Sequence, residues 1–410
     1  MGPDILAEDL RSWAFRNGDG LEDDEPGTAL KLGLEVEAVP LDRRMERIAL
    51  IRGAGPRSLL PLVRAVARKR SWRQLRGPGP PSFQTPAGDV ISFEPGGQVE
   101  WASRPDWSVR GILWRLRRDM GAIEGELARQ DIELIYRGMD PVTPDGSAPL
   151  QIQTDRYLRM DRHFARTGGW GRRMMRQSAA IHVNLDWSHL PALQWQAANA
   201  LAPVLTAVFA NSRVFEKRDT GVRSFRAVQW RRLDPERTGI LSAAGPDPAP
   251  EYLDFALNAP AILLALEEEA PRPFREWIGV SGVDQEDWRE HLTTLFPEVR
   301  PRGYLEIRAL DALPLRWMAA PIVFLTGLLY DRDVLGEVVR LLPAPTSEAL
   351  ERAGEEGLRD SDLHVQARRL WELALDGASR LRDLVDPESL ETAQKYASRF
   401  TDAGEDPGCE

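Results

Sequence analysis

Cysteine is almost absent from this sequence: Cys409, beside the C-terminal residue, is the only one. No internal disulfide, thiolate zinc cluster or thiol nucleophile can be assembled from one tail cysteine, and Cys409 reads as an inert, exposed end. Lysine is nearly as scarce, at Lys31, Lys69, Lys217 and Lys395 only, so the basic complement is almost all arginine. Genome composition alone can produce that bias, yet arginine is the side chain suited to bidentate grips on carboxylates and phosphates. The formal net charge of −10 argues against a nucleic-acid partner, which calls for a basic surplus. No apolar run approaches the roughly 18 residues of a membrane span, so no membrane association is expected. The opening MGPDILAEDLRSW has no basic start followed by an apolar core, and Leu6 stands where a myristoylation signal needs Ser or Thr. The expected address is the cytoplasm. There is also no G-x-x-x-x-G-K-[ST] loop, so any ATP must be held by metals and arginines. No nucleophile elbow or Ser-His-Asp order stands out, which disfavours a covalent acyl-enzyme.

What is present is a globular composition, 42% hydrophobic and 28% charged, enough to bury a sizeable core. The first strand signal is Lys31–Leu41, where Leu32, Leu34, Val36 and Ala38 alternate with Gly33, Glu35 and Glu37. A helix is expected over Arg57–Arg70. DVISFEP and QVEWAS, joined by Pro95-Gly96-Gly97, have the spacing of a hairpin. Trp107–Asp131 reads as an amphipathic helix, DIELIYRGM as a strand, Ser178–Trp187 as an alternating strand and Ala192–Asn211 as an apolar helix. Glu216–Gly239 reads as a polar, Arg-rich loop, Arg302–Pro314 as a strand and Trp317–Tyr330 as an apolar helix. No internal repeat or convincing linker divides the chain.

The acids sit where acids are expensive. Glu35 and Glu37, two apart on a strand, point to one face. Glu94 and Glu100 lie on opposite arms of the expected hairpin; His182 and Asn184 share a face, as do Glu306 and Arg308. Taken singly, each is an ordinary structural feature. If all these faces line one concave sheet, the cavity holds five carboxylates and an imidazole, and such crowding requires bound cations. Oxygen-rich sites with one nitrogen suit Mg²⁺ or Mn²⁺, with phosphate oxygens completing the shell. The chemistry pointed to is phosphoryl transfer, with arginines stabilising charge on the transferring group.

EPGGQVE (Glu94–Glu100), AIHVNLDWS (Ala180–Ser188), FANSRVFE (Phe209–Glu216), SFRAVQW and LDPERTG within Ser224–Gly239, and HLTTLFPEVRPRGYLEIRALDALP (His291–Pro314) resemble glutamate–cysteine ligases. The likeness is to the plant-like and actinobacterial branch, which includes ergothioneine-pathway enzymes, and runs in order from about Lys31 to Asp331. It implies an α+β fold related to glutamine synthetase, a curved antiparallel sheet forming a half-barrel around the site with helices outside. It also implies a reaction: ATP phosphorylates the γ-carboxylate of L-glutamate, and the amino group of L-cysteine displaces phosphate to give γ-glutamylcysteine. By motif position, Glu35, Glu37, Glu94, Glu100, His182 and Glu306 correspond to the metal-binding set for Mg²⁺ or Mn²⁺. Arg308 and Arg237 would serve ATP, and Arg226 would grip a substrate carboxylate. Plant-like members usually carry Gln where this chain has His182, and often a Gly after the strand that here continues as RALDALP. With Cys409 alone, the disulfide control of plant members is not possible within one chain.

The expected organisation is an N-terminal helix and acidic connector over 1–28, a catalytic domain over 29–340, C-terminal helices over 341–400 packed on it, and a disordered tail over 401–410. Two other readings stay open at this point: a ligase with a different amine acceptor, and a non-catalytic binding protein that kept the fold.

Overall fold

In the computed structural model, which describes residues 2–15, 30–51, 58–265 and 269–409, eleven strands form in chain order. They are β1 (Leu32–Asp42), β2 (Arg73–Leu75), β3 (Ser82–Gln84), β4 (Val90–Phe93), β5 (Val99–Ala102), β6 (Ile132–Ile135), β7 (Ala180–Leu185), β8 (Val214–Phe215), β9 (Arg218–Asp219), β10 (Val299–Pro301) and β11 (Leu305–Asp311). Nine of them make one antiparallel sheet in the order β10-β11-β7-β1-β5-β4-β3-β2, with β6 on the C-terminal half of β1; β8 and β9 form a separate ribbon. The fold is the expected α+β sheet backed by helices.

Register explains why the acids share a face. Glu35 stands opposite His182 on one side and Ala102 on the other; Glu37 stands opposite Glu100, and Glu306 opposite Asn184. Cross-strand partners point the same way, so the period of two puts the acids on one surface and Leu34, Val36, Trp101, Ile181, Val183, Leu305 and Ile307 on the other. Those apolar residues are at most 1% exposed. They lie against the helices Val109–Ala128, Pro191–Val208 and Ala319–Leu329. At roughly 1.5–3 kcal/mol for each large apolar side chain buried, this face offsets the cost of the charged one.

The helix Ala319–Leu329 is buried on every side, as its uninterrupted apolar sequence demands. Ser361–Arg380 crosses it so closely that a Cβ on Gly327 would lie 2.0 Å from the Ala374 carbonyl oxygen. One hydrophobic cluster therefore runs from Leu6 to Phe400. The N-terminal helix Pro3–Asp9 belongs to it too: Phe15 packs its ring against Trp195 at 5.2 Å and Trp187 at 5.7 Å, and Asp9 accepts from Arg289 Nη2 at 2.6 Å. The acidic connector expected after it, and Arg57 at the start of the expected second helix, lie outside the described residues.

Two expectations are corrected. The Arg-rich segment is not a loop throughout, because Phe225–Leu233 is a helix whose first turn is capped by the Ser224 hydroxyl, accepting from Ala227 N at 3.1 Å. Its residues are buried on several faces, so no amphipathic stripe announces it. Nor is the tail from Thr401 disordered. Thr401 is fully buried and accepts from Trp371 Nε1 at 2.9 Å, while buried Asp406 pairs with Arg223 Nη1 at 2.8 Å. A polar composition reads as disorder only until its polar groups find internal partners.

Candidate active site

A cavity of about 360 Å³ opens over the acidic face of the sheet, lined by Glu35, Glu37, Glu94, Glu100, His182, Glu306, Arg226 and Arg308. The six expected metal ligands fall into two triads. Glu35, His182 and Glu306 place one donor atom each within 4.8 Å of one another, and Glu37, Glu94 and Glu100 do the same.

The hairpin carrying Glu94 and Glu100 is held by its turn. Gly97 adopts φ +85° and donates to Glu94 O at 2.7 Å, and Glu94 N donates to Gln98 O at 3.0 Å. Gly96 lies so close to the end of the helix Trp170–Gln177 that a Cβ there would sit 2.1 Å from the Arg176 carbonyl oxygen. Arg47 and Gln151 both donate to Gly96 O, at 2.8 and 2.6 Å. Gly96→Ala is therefore expected to push the hairpin off its seat, costing about 1–3 kcal/mol. Urea unfolding should show that loss, and activity should fall with it as Glu94 and Glu100 separate from Glu37.

The two triads differ electrostatically. In the first, Glu35 accepts from Asn184 Nδ2 at 3.0 Å and pairs with His182 Nδ1 at 2.9 Å, an arrangement that leaves the imidazole Nε2 for a ligand. Burial, then the charge of Arg308, lowers the His182 pKa and keeps the ring neutral, the form that binds cations. Glu306 is clamped by three guanidinium groups. Arg300 donates from Nε at 2.6 Å and from Nη2 at 3.0 Å, Arg302 from Nη1 at 3.1 Å and Arg308 from Nη1 at 3.0 Å. Burial alone would raise this carboxyl, but the charges of Arg300 and Arg308 hold it well below the usual range.

The second triad is the reverse case. Glu37 accepts from Ala180 N at 2.8 Å, Glu100 from Ser92 Oγ at 2.6 Å, and Glu94 and Glu100 hydrogen-bond each other. Among the described residues no cationic side chain hydrogen-bonds any of the three. Burial and the charge of Glu100 push Glu37 up to about 8; burial and the charge of Glu37 push Glu94 up to about 8. Burial and Glu94 carry Glu100 well above the ordinary carboxylate range. Three carboxyls that repel one another this strongly have the donor chemistry that suits a hard, oxygen-seeking cation.

Arg226 and Arg308 both reach the cavity. Arg226 projects from the Ser224-capped helix, donates from Nη2 to Arg308 O at 2.8 Å and stacks 4.9 Å above Trp230. Asp311 stands 3.8 Å from its Nη1 and is itself held by Asn211 N, Ser212 Oγ and Ser224 Oγ, at 2.8, 2.7 and 3.1 Å. Arg237 is the correction: it does not line the cavity. Its side chain is fully buried, donating to Thr294 Oγ1 at 2.9 Å and to the Pro260 carbonyl, with Asp234 3.1 Å from Nε. It braces the wall behind the site, because the helix Phe225–Leu233 ends at the first residue of LDPERTG and Arg237 lies beyond it. Arg300 and Arg302 were not singled out from sequence, although β10 and β11 pair Arg300 with Glu306 directly. The alternation in VRPRGYLEIR carried that signal.

Part of the cavity wall is apolar and rich in sulfur, with Met160, Met174, Met175, Trp230 and Phe296, while Gln98, Arg156, Thr293, Arg300 and Arg302 add polar and cationic groups. No described helix is long and apolar enough to cross a membrane.

Residues 31–404 match the family model for glutamate-cysteine ligase family 2. Over 328 residues the chain is 34% identical to the glutamate–cysteine ligase EgtA of Mycolicibacterium smegmatis, covering 76% of each protein. It is 29% identical over 342 residues to the chloroplastic glutamate–cysteine ligase of Brassica juncea, covering 78% of this chain and 66% of that one. Among solved structures, the glutamate–cysteine ligase of Francisella tularensis in complex with AMP superposes with a TM-score of 0.52 at 11% identity, covering 93% of this chain and 83% of that chain.

Proposed function

This chain belongs to glutamate-cysteine ligase family 2, and from that premise we propose that its cavity joins the γ-carboxylate of L-glutamate to the amino group of L-cysteine at the expense of ATP. A γ-carboxylate oxygen attacks the terminal phosphorus of ATP and ADP leaves, giving γ-glutamyl phosphate. The amino nitrogen of cysteine then attacks the acyl carbon, phosphate departs, and γ-glutamylcysteine remains for glutathione or a related thiol such as ergothioneine. The observation that carries this reading is the convergence of two acid triads on one face of one sheet, in a cavity that five arginines also line.

The donor sets fit divalent ions. Glu37, Glu94 and Glu100 would hold one Mg²⁺ or Mn²⁺, and Glu35, His182 and Glu306 another; ions there neutralise triphosphate oxygens. The chain's own residues supply the rest. Arg308, with its Nε unpaired inside the cavity, is placed to meet a phosphate oxygen. Arg226, whose Nε is likewise buried without a partner, is placed to hold a substrate carboxylate, and Asp311 keeps its guanidinium in position. The Met160, Met174, Met175 and Trp230 wall favours an acceptor with a polarisable thiol over one with a hydroxyl, since sulfur contacts to aromatic rings contribute about 0.3–1.5 kcal/mol each. A reaction on ATP and two free amino acids supports a cytoplasmic location.

The test offers purified protein, ATP, Mg²⁺ and glutamate a panel of amines and follows phosphate release. Cysteine should give the highest kcat/KM, with serine at least tenfold lower. Equal turnover across the panel would discard cysteine as the acceptor, and no phosphate release with any amine would leave a non-catalytic binding protein.

A further inference from the structure

A second cavity, also of about 360 Å³, shares no lining residue with the acidic one. Its volume falls within the range of roughly 300–1,000 Å³ that small-molecule sites occupy. It is built by the turn after β1, by β6 and the loop that follows it, and by the β8–β9 ribbon. Ile135 and Val142 form its floor and join Val39 and Leu41 in a hydrophobic cluster separate from the main core. Val214 and the exposed Met45 extend the apolar surface. Its charged lining has one sign only: Arg44, Arg137 and Lys217, with no carboxylate among the described residues.

Two observations point to a ligand. The first is that these three cations are left over. Arg43 beside them pairs with Asp131 at 3.0 Å, but no described residue takes a side-chain hydrogen bond or ion pair from Arg44, Lys217 or the half-buried Arg137. The acids close by are engaged or turned to solvent. Asp42 accepts from Arg44 N and Glu46 N, Glu216 accepts from Asp145 N, and Glu133, on the same face of β6 as Ile135, is exposed. The second is strain at the rim. Met45 and Lys217 stand at φ +58° and +61°, a left-handed backbone that glycine or asparagine takes far more readily. Strained residues of this kind gather at ligand clamps, and here two turns distant in sequence bring theirs to one cavity.

We propose that this cavity is a second binding site, for a small amphipathic organic anion: an apolar body carrying a carboxylate, sulfonate or phosphate. The floor of Ile135 and Val142 takes the body, and the three cations meet the head. Like charges gathered around a low-dielectric hollow concentrate an anion more than the same charges scattered over a surface. Arg44 and Arg137 can each offer such a head two parallel N–H donors. A cationic ligand would meet only repulsion, and a neutral apolar one would gain nothing from the rim. The site stands apart from the ligase reading, because none of its residues lies on the acidic face.

Two dyes that brighten on leaving water test this directly. 8-Anilinonaphthalene-1-sulfonate has the proposed chemistry, and N-phenyl-1-naphthylamine has the same rings without the sulfonate. Fluorescence titration of the full-length protein should find one saturable site per chain for the sulfonate, at least tenfold tighter than for the neutral amine. Arg137→Gln and Lys217→Gln should each weaken the sulfonate at least threefold. Arg302→Gln, which removes a cation from the acidic cavity instead, should leave its affinity unchanged. Lys217→Gln alters an exposed side chain at the tip of the ribbon, so it serves if Arg137→Gln does not fold. No saturable site, equal affinity for the two dyes, or unchanged sulfonate affinity in the folded cavity variants would overturn the proposal. So would a loss of affinity in Arg302→Gln alone, which would put the dye on the acidic face.

Discussion

Glu94→Gln should abolish turnover while leaving a folded protein that is more stable than the wild type in alkaline, metal-free buffer. Under the proposed reaction the expected activity loss is about 10³-fold, because one donor of a three-carboxylate set is removed from the place where phosphoryl charge develops. The stability gain follows from the same repulsion. Glu37 and Glu94 are pushed up to about 8 in the folded chain, above the ordinary carboxylate value they take when unfolded. A raised carboxyl contributes stability that is fully present below its unfolded pKa and is lost as pH rises through the folded one. The wild type should therefore weaken between about pH 5 and pH 8 when no cation is present. Gln at position 94 removes one of the repelling charges, which should recover about 1–3 kcal/mol at pH 8. Millimolar Mg²⁺ or Mn²⁺ should stabilise the wild type more than the variant. Thermal melts at pH 6 and pH 8, with and without the cation, read all of this. Wild-type turnover in the variant would remove the site assignment, and a variant less stable than the wild type at pH 8 would remove the electrostatic account.

Acid should destabilise the protein through a residue that never meets substrate. His291 is buried, stacks on Phe274 with ring centroids 4.7 Å apart and meets the Ala256 carbonyl through Nε2 at 2.8 Å. Burial, and then the charge of Arg237, pushes it down to about 3. A depressed folded pKa means that the unfolded chain takes up the proton first. Its contribution is intact above the unfolded value of 6.5 and drains away as pH falls from there toward 3. The slope approaches about 1.4 kcal/mol per pH unit from this group alone, on the order of 3–5 kcal/mol over the window. Phe at position 291 keeps an aromatic ring between Phe274 and Trp288, leaves the Ala256 carbonyl without its donor and cannot be protonated. Urea unfolding should find His291→Phe less stable than the wild type at pH 7 by about 1–3 kcal/mol, with the gap closing or reversing by pH 4.5. Parallel pH dependences in the two proteins would show that His291 is not the acid-sensitive group.

Much of the site was legible in the sequence, and the reason is geometric. A strand repeats every two residues, so Glu35 with Glu37, His182 with Asn184 and Glu306 with Arg308 share a face whatever the strands are packed against. The Pro95-Gly96-Gly97 turn likewise announced the hairpin that brings Glu94 toward Glu100. What alternation cannot supply is the order of strands and their register, and these sort the six expected ligands into two triads. β1 had to lie between β5 and β7 for Glu37 to face Glu100 while Glu35 faces His182.

The positive side chains were the less readable ones. Arginine is long, and its partner is chosen in three dimensions. Arg237 and Arg226 lie in one stretch of sequence, yet the end of a helix between them sends the first to Thr294 and Pro260 and leaves the second in the cavity. Arg300 drew no notice and Arg302 only as the first residue of an expected strand, and both reach Glu306 only because β10 folds back on β11. The polar tail read as disordered because its partners, Arg223 and Trp371, are distant in sequence. The sequence by itself determined which face of each strand carries charge, because that depends on a local period. Only the tertiary structure decided which charges meet, because ion pairing depends on distances that the chain sets after it has folded.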